Sequence, residues 1–227
     1  MADRCLLYYI TDRWQFRGDE SARRRALLAK VAEAAHAGID YIQLREKDLN
    51  TRELEALARE VVAVVRESQL TTGHRPLATR LLINSRSDIA IAAGADGVHL
   101  RSDDIAAHEA RSLWTQALAR RSQPAARNPL FAASCHTAAE IFRAESEAVD
   151  FAVFAPVFGK RQAPGTQPAG LAALREACRA KIPVLALGGV NLENAASCLS
   201  AGAAGVAGIR LFQENRIEDV VRALRTL

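Results

Sequence analysis

Aromatic residues make up only 5% of the chain, and it contains a single methionine. No apolar run approaches the roughly 20 residues that a membrane-spanning helix needs. Met1 leads into the short apolar stretch Leu6–Ile10 without the longer apolar core of a signal peptide. A membrane location is therefore not expected, and a cytoplasmic protein is. The four cysteines, Cys5, Cys135, Cys178 and Cys198, form no C-x-x-C pair and follow no regular spacing. That argues against a zinc site or a disulfide framework and for buried thiols in a reducing compartment. No G-x-G-x-x-G follows the first apolar stretch, so an open dinucleotide-binding sheet lacks its main signature. Low-complexity segments and domain linkers are missing as well.

With 227 residues, 49% of them apolar and 25% charged, the chain can bury a sizeable core as one domain spanning residues 1–227. A net charge of +4 and a pI near 9.1 raise the question of nucleic acid. The basic residues are scattered, however. The run Arg23-Arg24-Arg25 lies in a helical pattern, where it reads as a solvated face, and aromatic partners for base stacking are scarce. Nucleic acid is not an expected partner.

Short apolar runs alternate with helical patterns throughout. The strand candidates are 6–10, 39–44, 80–83, 96–100, 130–133, 150–155, 183–187 and 204–209. The helix candidates are 21–37, 51–67, 86–93, 104–120, 137–147, 170–180, 192–201 and 216–226. Asn50-x-x-Glu53 and Thr137-x-x-Glu140 have capping spacing. Eight strand–helix pairs in a chain of this length predict an α/β fold, a single-domain (β/α)8 TIM barrel. The polar stretches 69–79 and 121–129 precede strands and read as surface loops at the N-terminal end of the barrel.

In such a barrel the active site forms where strands end, so the residues there carry the functional reading. Along 39–47, Tyr41, Gln43 and Arg45 share one face and Ile42 and Leu44 the other. Gln43, Arg45 and Lys47 thus offer hydrogen-bond donors and positive charge suited to a phosphate or pyrophosphate; a merely solvated strand face is the plainer alternative. Thr11-Asp12-Arg13, Asn84-Ser85-Arg86 and Gly159-Lys160-Arg161-Gln162 end strands 1, 3 and 6. Gly188-Gly189 ends strand 7, where backbone and helix amides can approach a phosphate, or simply turn the chain. Arg210, after strand 8, adds a charge or caps the rim. His136 precedes a helix at the mouth, where a neutral imidazole can trade protons or only hydrogen-bond. His99 lies on strand 4 and is expected to point into the barrel. Asp103 and Asp104 suit either Mg2+ or a helix N-terminus.

Taken together, Gln43-Leu44-Arg45-Glu46-Lys47, Leu82-Ile83-Asn84, Asp88-Ile89-Ala90, Gly94 to Leu100, Ser134-Cys135-His136, Pro156-Val157-Phe158 and Ala186 to Val190 resemble the thiamine phosphate synthase/TenI family. Synthases of this family join a pyrimidine pyrophosphate to a thiazole phosphate with Mg2+. The resemblance implies that Gln43, Arg45 and Lys47 bind pyrophosphate and that Asn84 and Asp104 stand at the pyrophosphate and metal positions. It sets Ser134 near the pyrimidine, and Gly188, Gly189, Ile209 and Arg210 around the thiazole phosphate.

Three departures matter. Asn84-Ser85 replaces an Asn-Asp pair, Arg101-Ser102 replaces Gly-Gln, and Lys160-Arg161-Gln162-Ala163 replaces a Thr-x-Thr/Ser-Lys loop. A serine cannot supply the charge of a carboxylate to Mg2+. TenI-type members, which need no cofactor, keep the thiazole phosphate site and use a histidine at the His136 position for an aromatising tautomerisation. The reading favoured is accordingly a TenI-type tautomerase. A divergent Mg2+-dependent synthase and a non-catalytic thiazole or thiamine phosphate-binding protein are the alternatives, and a homodimer is a family-level expectation.

Overall fold

A computed structural model describes residues 4–71, 79–120, 128–159 and 167–227. Eight parallel strands close into one barrel in sequence order, with β8 returning to pair with β1. They are β1 (Leu6–Ile10), β2 (Tyr41–Leu44), β3 (Arg80–Asn84), β4 (Gly97–Leu100), β5 (Leu130–Cys135), β6 (Phe151–Phe154), β7 (Val184–Ala186) and β8 (Gly205–Gly208). The helices are α1 (Glu20–His36), α2 (Thr51–Thr71), α3 (Ser87–Ala93), α4 (Ala107–Arg120), α5 (Ala138–Ser146), α6 (Gly170–Ala177), α7 (Ala195–Ser200), α8 (Arg210–Gln213) and α9 (Ile217–Arg225).

Strand alternation splits the core into two. Inward residues, among them Tyr8, Ile10, Leu82, Ala132, Phe151, Val153, Leu185 and Ala207, fill the barrel. Outward ones such as Leu7, Ile42, Leu44, Ile83 and Val98 pack against the helices. Tyr41 stacks on Phe151 with ring centroids 4.6 Å apart, and Tyr8 meets Phe151 edge-on at 5.4 Å. These rings plug the barrel and leave the polar residues above them at its C-terminal mouth.

Both capping spacings form. Asn50 Oδ1 accepts from the Glu53 amide at 3.0 Å, and Glu53 Oε2 accepts from the Asn50 amide at 3.1 Å. Thr137 Oγ1 accepts from the Glu140 amide at 3.2 Å, but the Glu140 carboxylate returns to the amide of His136 instead of its own cap, at 2.5 Å.

Several boundaries differ from the sequence expectation. α2 runs on to Thr71, into a stretch expected as loop; most of what remains of that stretch, 72–78, and most of the other, 121–127, lie outside the described residues. α4 starts three residues late because the Asp104 carboxylate folds back onto the Arg101 amide at 2.7 Å and forms a turn. α7 starts late for a similar reason, since Asn191 and Asn194 bond one another's backbone. The four-residue α8 was not expected; it occupies the space directly after β8.

Candidate active site

The ends of β1 and β2 are locked together by a buried charge network. Arg13 is 2% exposed, and its guanidinium reaches Glu46 at 3.2 Å, both oxygens of Asp48 at 2.6 Å and Glu20 at 2.9 Å. Glu46 also accepts from Thr11 Oγ1 at 2.6 Å, and Thr11 in turn accepts from the Arg45 amide at 3.0 Å. The fork of Arg13 holds the Asp48 carboxyl down to about 2. For Glu46 burial wins, and its carboxyl titrates above the ordinary range despite Thr11 and Arg13. This network fixes the backbone that presents Gln43, Arg45 and Lys47.

Gln43 and Arg45 flank the floor of the mouth. Gln43 is buried, and its Nε2 donates to the Tyr8 hydroxyl at 3.1 Å. Tyr8 Oη lies 3.1 Å from His99 Nδ1, and His99 Nε2 lies 2.7 Å from Ser134 Oγ. The direction of this chain follows from the donor inventory. Tyr8 already accepts from Gln43, so its proton goes to His99 Nδ1, and His99 then donates from Nε2 to Ser134. Burial, assisted by the nearby Arg45 charge and opposed by Asp104, depresses His99 to about 3, so the ring is neutral. Ser134 is thereby left to direct its own proton toward the mouth.

Arg45 is half-buried, and its guanidinium makes no hydrogen bond or ion pair among the described residues. Burial lowers it from its ordinary range; Asp12 and Glu46 counteract this, while Arg101 adds to it. Lys47 is exposed on the loop beyond. Asn84, half-buried at the end of β3, donates to Ser85 Oγ at 3.2 Å, and Ser85 adopts a left-handed backbone with φ of 62°. Asp104 sits near enough to His99 to act on its charge, but its carboxylate is already engaged. One oxygen takes the Arg101 amide at 2.7 Å, and the other lies 3.4 Å from the Arg101 guanidinium.

His136 lies exposed at the end of β5, with its Nδ1 2.6 Å from the Ala155 carbonyl. A carbonyl only accepts, so Nδ1 carries the proton and Nε2 is left as the basic atom. The Ala155 carbonyl thus holds the ring, while the Glu140 carboxylate holds the backbone amide beneath it. No hydrogen bond among the described residues joins it to the Tyr8–His99–Ser134 chain.

Gly188 and Gly189 have φ of 95° and 66°. A Cβ at Gly188 would lie 2.7 Å from Pro156 Cα, and one at Gly189 2.7 Å from Phe158 Cβ and 2.8 Å from the Gly159 oxygen. Both glycines are thus required by the neighbouring loop. The amides expected to face a phosphate at the start of α7 are partly taken: Glu193 and Asn194 both donate to Asn191 Oδ1 at 3.0 Å. Ile209 and Arg210, half-buried, close this side of the mouth, with Ile209 packed on the barrel interior. Lys160, Arg161, Gln162 and Ala163 lie outside the described residues.

The family model described as thiamine monophosphate synthase matches residues 7–212. The chain belongs to this family. A thiamine-phosphate synthase of Methanoculleus marisnigri is 36% identical over 222 residues, covering 96% of this chain and 93% of that one. One of Syntrophomonas wolfei is 34% identical over 226 residues, covering 97% and 95%. Among solved structures, a thiamine phosphate pyrophosphorylase from Pyrococcus furiosus superposes with a TM-score of 0.74 at 27% identity, covering 99% of this chain and 95% of that one. A 3-hexulose-6-phosphate synthase, 16% identical with a TM-score of 0.62, shares the fold.

Membership makes Mg2+ the metal to test against these residues. They do not fit a protein-held ion. Asp104 is tied to Arg101, Ser85 offers a hydroxyl, and no group of three His, Cys, Asp or Glu side chains converges among the described residues. Sequence reasoning missed the positioning roles of Arg13, Tyr8 and Glu46. The signal for Glu46 was its register with Ile42 and Leu44, two residues past the end of β2, where a buried carboxylate demands a cation.

Proposed function

We propose that the protein isomerises a thiazole carboxylate phosphate within thiamine biosynthesis, with His136 moving the proton. The observation that carries this reading is the Nδ1 contact to Ala155, which presents Nε2 as a fixed base at the mouth. Nε2 takes a proton from the unaromatised ring as its C–H bond breaks, and the electron pair shifts into the ring. The proton is then returned at the other end of the conjugated system, so atoms and charge balance without a leaving group. Gly188, Gly189, Ile209 and Arg210 would hold the phosphate, and Ser134 would donate to an acceptor on the ring. The pairing of Asp104 with Arg101 is no obstacle, because this chemistry needs no metal.

The second reading is Mg2+-dependent coupling of a pyrimidine pyrophosphate to a thiazole phosphate. The thiamine-phosphate synthases that match nearly the whole chain favour it. In that reaction Gln43, Arg45, Lys47 and Asn84 would grip pyrophosphate. Two assays on the purified protein separate the readings. Conversion of the thiazole tautomer in EDTA, lost in His136→Ala, supports the first. Mg2+-dependent coupling with no tautomer conversion overturns it.

A further inference from the structure

Gln43, Tyr8, His99 and Ser134 come from β2, β1, β4 and β5, yet they join in one hydrogen-bonded chain across the floor of the mouth. The first three are buried, and Ser134 is half-buried at the open end. The amide nitrogen of Gln43, not its oxygen, faces Tyr8, and this sets the direction of every proton that follows. His99 Nδ1 takes the Tyr8 proton, so the ring carries its own proton on Nε2, 2.7 Å from Ser134 Oγ. In the other tautomer Ser134 would have to donate to the ring and could offer a ligand only lone pairs. In this one Ser134 accepts from His99, and its own proton finds no acceptor among the described residues. A ligand with a bare lone pair at that point completes the chain. One with an N–H takes the second lone pair of the hydroxyl and leaves the hydroxyl proton unpaired, which weakens binding at a half-buried position.

We infer that Tyr8 and His99 are positioning residues that fix Ser134 as a proton donor, so that the mouth selects a ligand ring presenting an unprotonated nitrogen or a carboxylate oxygen to Ser134 over one presenting N–H. Neither residue needs to touch the ligand, because both act through the direction of the chain. His99 suits this part because its buried ring is neutral, with one nitrogen that only accepts and one that only donates. Tyr41 and Phe151 meet the Tyr8 ring edge-on, at centroid distances of 5.9 and 5.4 Å, and keep its hydroxyl aimed along the chain. The inference rests on the mouth being the thiazole phosphate site proposed above.

The probes are hydroxyethylthiazole phosphate and its pyrrole isostere, with N–H in place of the ring nitrogen and C–H in place of sulfur. Each is titrated calorimetrically into the full chain and into Tyr8→Phe. Wild type should prefer the thiazole about tenfold. Tyr8→Phe keeps the ring packing but leaves Nδ1 without its donor and either tautomer open, so the preference should fall to about twofold or less. The loss of sulfur is common to both proteins and cancels in the comparison. A second measurement needs no change at Tyr8: NMR of wild type carrying nitrogen-labelled histidine, with His99→Gln to identify the signal, should find the His99 proton on Nε2. A proton on Nδ1, equal affinities in wild type, an undiminished preference in Tyr8→Phe, or no binding of either probe overturns the inference. Turnover of the thiazole tautomer judges the proposed reaction separately, since conversion can be absent with the preference intact, and the preference absent with conversion intact.

Discussion

His99 shows how one side chain couples the floor of the mouth to the stability of the barrel. Folded, it stays neutral down to about 3; unfolded, it takes its proton near 6.5. Between those values the unfolded chain binds more protons. The stability associated with His99 is therefore fully present above about 6.5 and declines as the pH falls toward 3. Urea unfolding across this window should show a decline that His99→Gln flattens by about 1.4 kcal/mol per pH unit. Equal slopes in the two proteins would mean that the ring is not buried neutral. The same residue was legible in the sequence only in part. Its place on β4 predicted an inward side chain, but not that Tyr8, three strands earlier on β1, would be its donor. Partners 91 residues apart meet only once the barrel closes.

At the scale of elements, two connections hold the mouth in shape. The first is the loop after β1, which Arg13 pins to the loop after β2. Removing the guanidinium leaves Glu46, 5% exposed, as a buried carboxylate without its cation. Arg13→Met is expected to cost about 3 kcal/mol in denaturant unfolding; a loss no larger than that of an ordinary surface change would show that the network is dispensable. The second is the turn after β7 against the loop after β6. In Gly189→Ala the new Cβ would need a left-handed backbone and space held by Phe158 and Gly159. About 2 kcal/mol of destabilisation is expected, together with weaker binding of a thiazole phosphate; unchanged melting and binding would contradict this arrangement. Element positions followed from strand and helix periodicity, whereas helix starts were misjudged at α4 and α7. There Asp104 and Asn191 turn their side chains back onto local amides, a competition that periodicity does not register.

At the scale of the molecule, closure of eight strands sets donors from β1, β2, β4 and β5 into one chain above a ring-filled interior. At the opposite end Asp40, gripped by Arg4 and by Arg225 at 2.7 Å, ties the last helix to the start of β1 and β2. The barrel was readable from its alternation, and the family from Gln43 to Lys47, Ser134 to His136 and the strand-7 glycines. The pairing of Arg101 with Asp104 was not, because two residues that differ from the family pattern or match it singly give no hint that they neutralise each other. Among the described residues no helix is long and apolar enough to cross a membrane.

The central claim, proton transfer by His136 at the mouth, is tested most directly by following aromatisation of the thiazole carboxylate phosphate tautomer in EDTA. Wild type should convert it, and His136→Ala should lose about 100-fold or more in rate while retaining affinity for the phosphate. Conversion by His136→Ala at the wild-type rate would contradict the account.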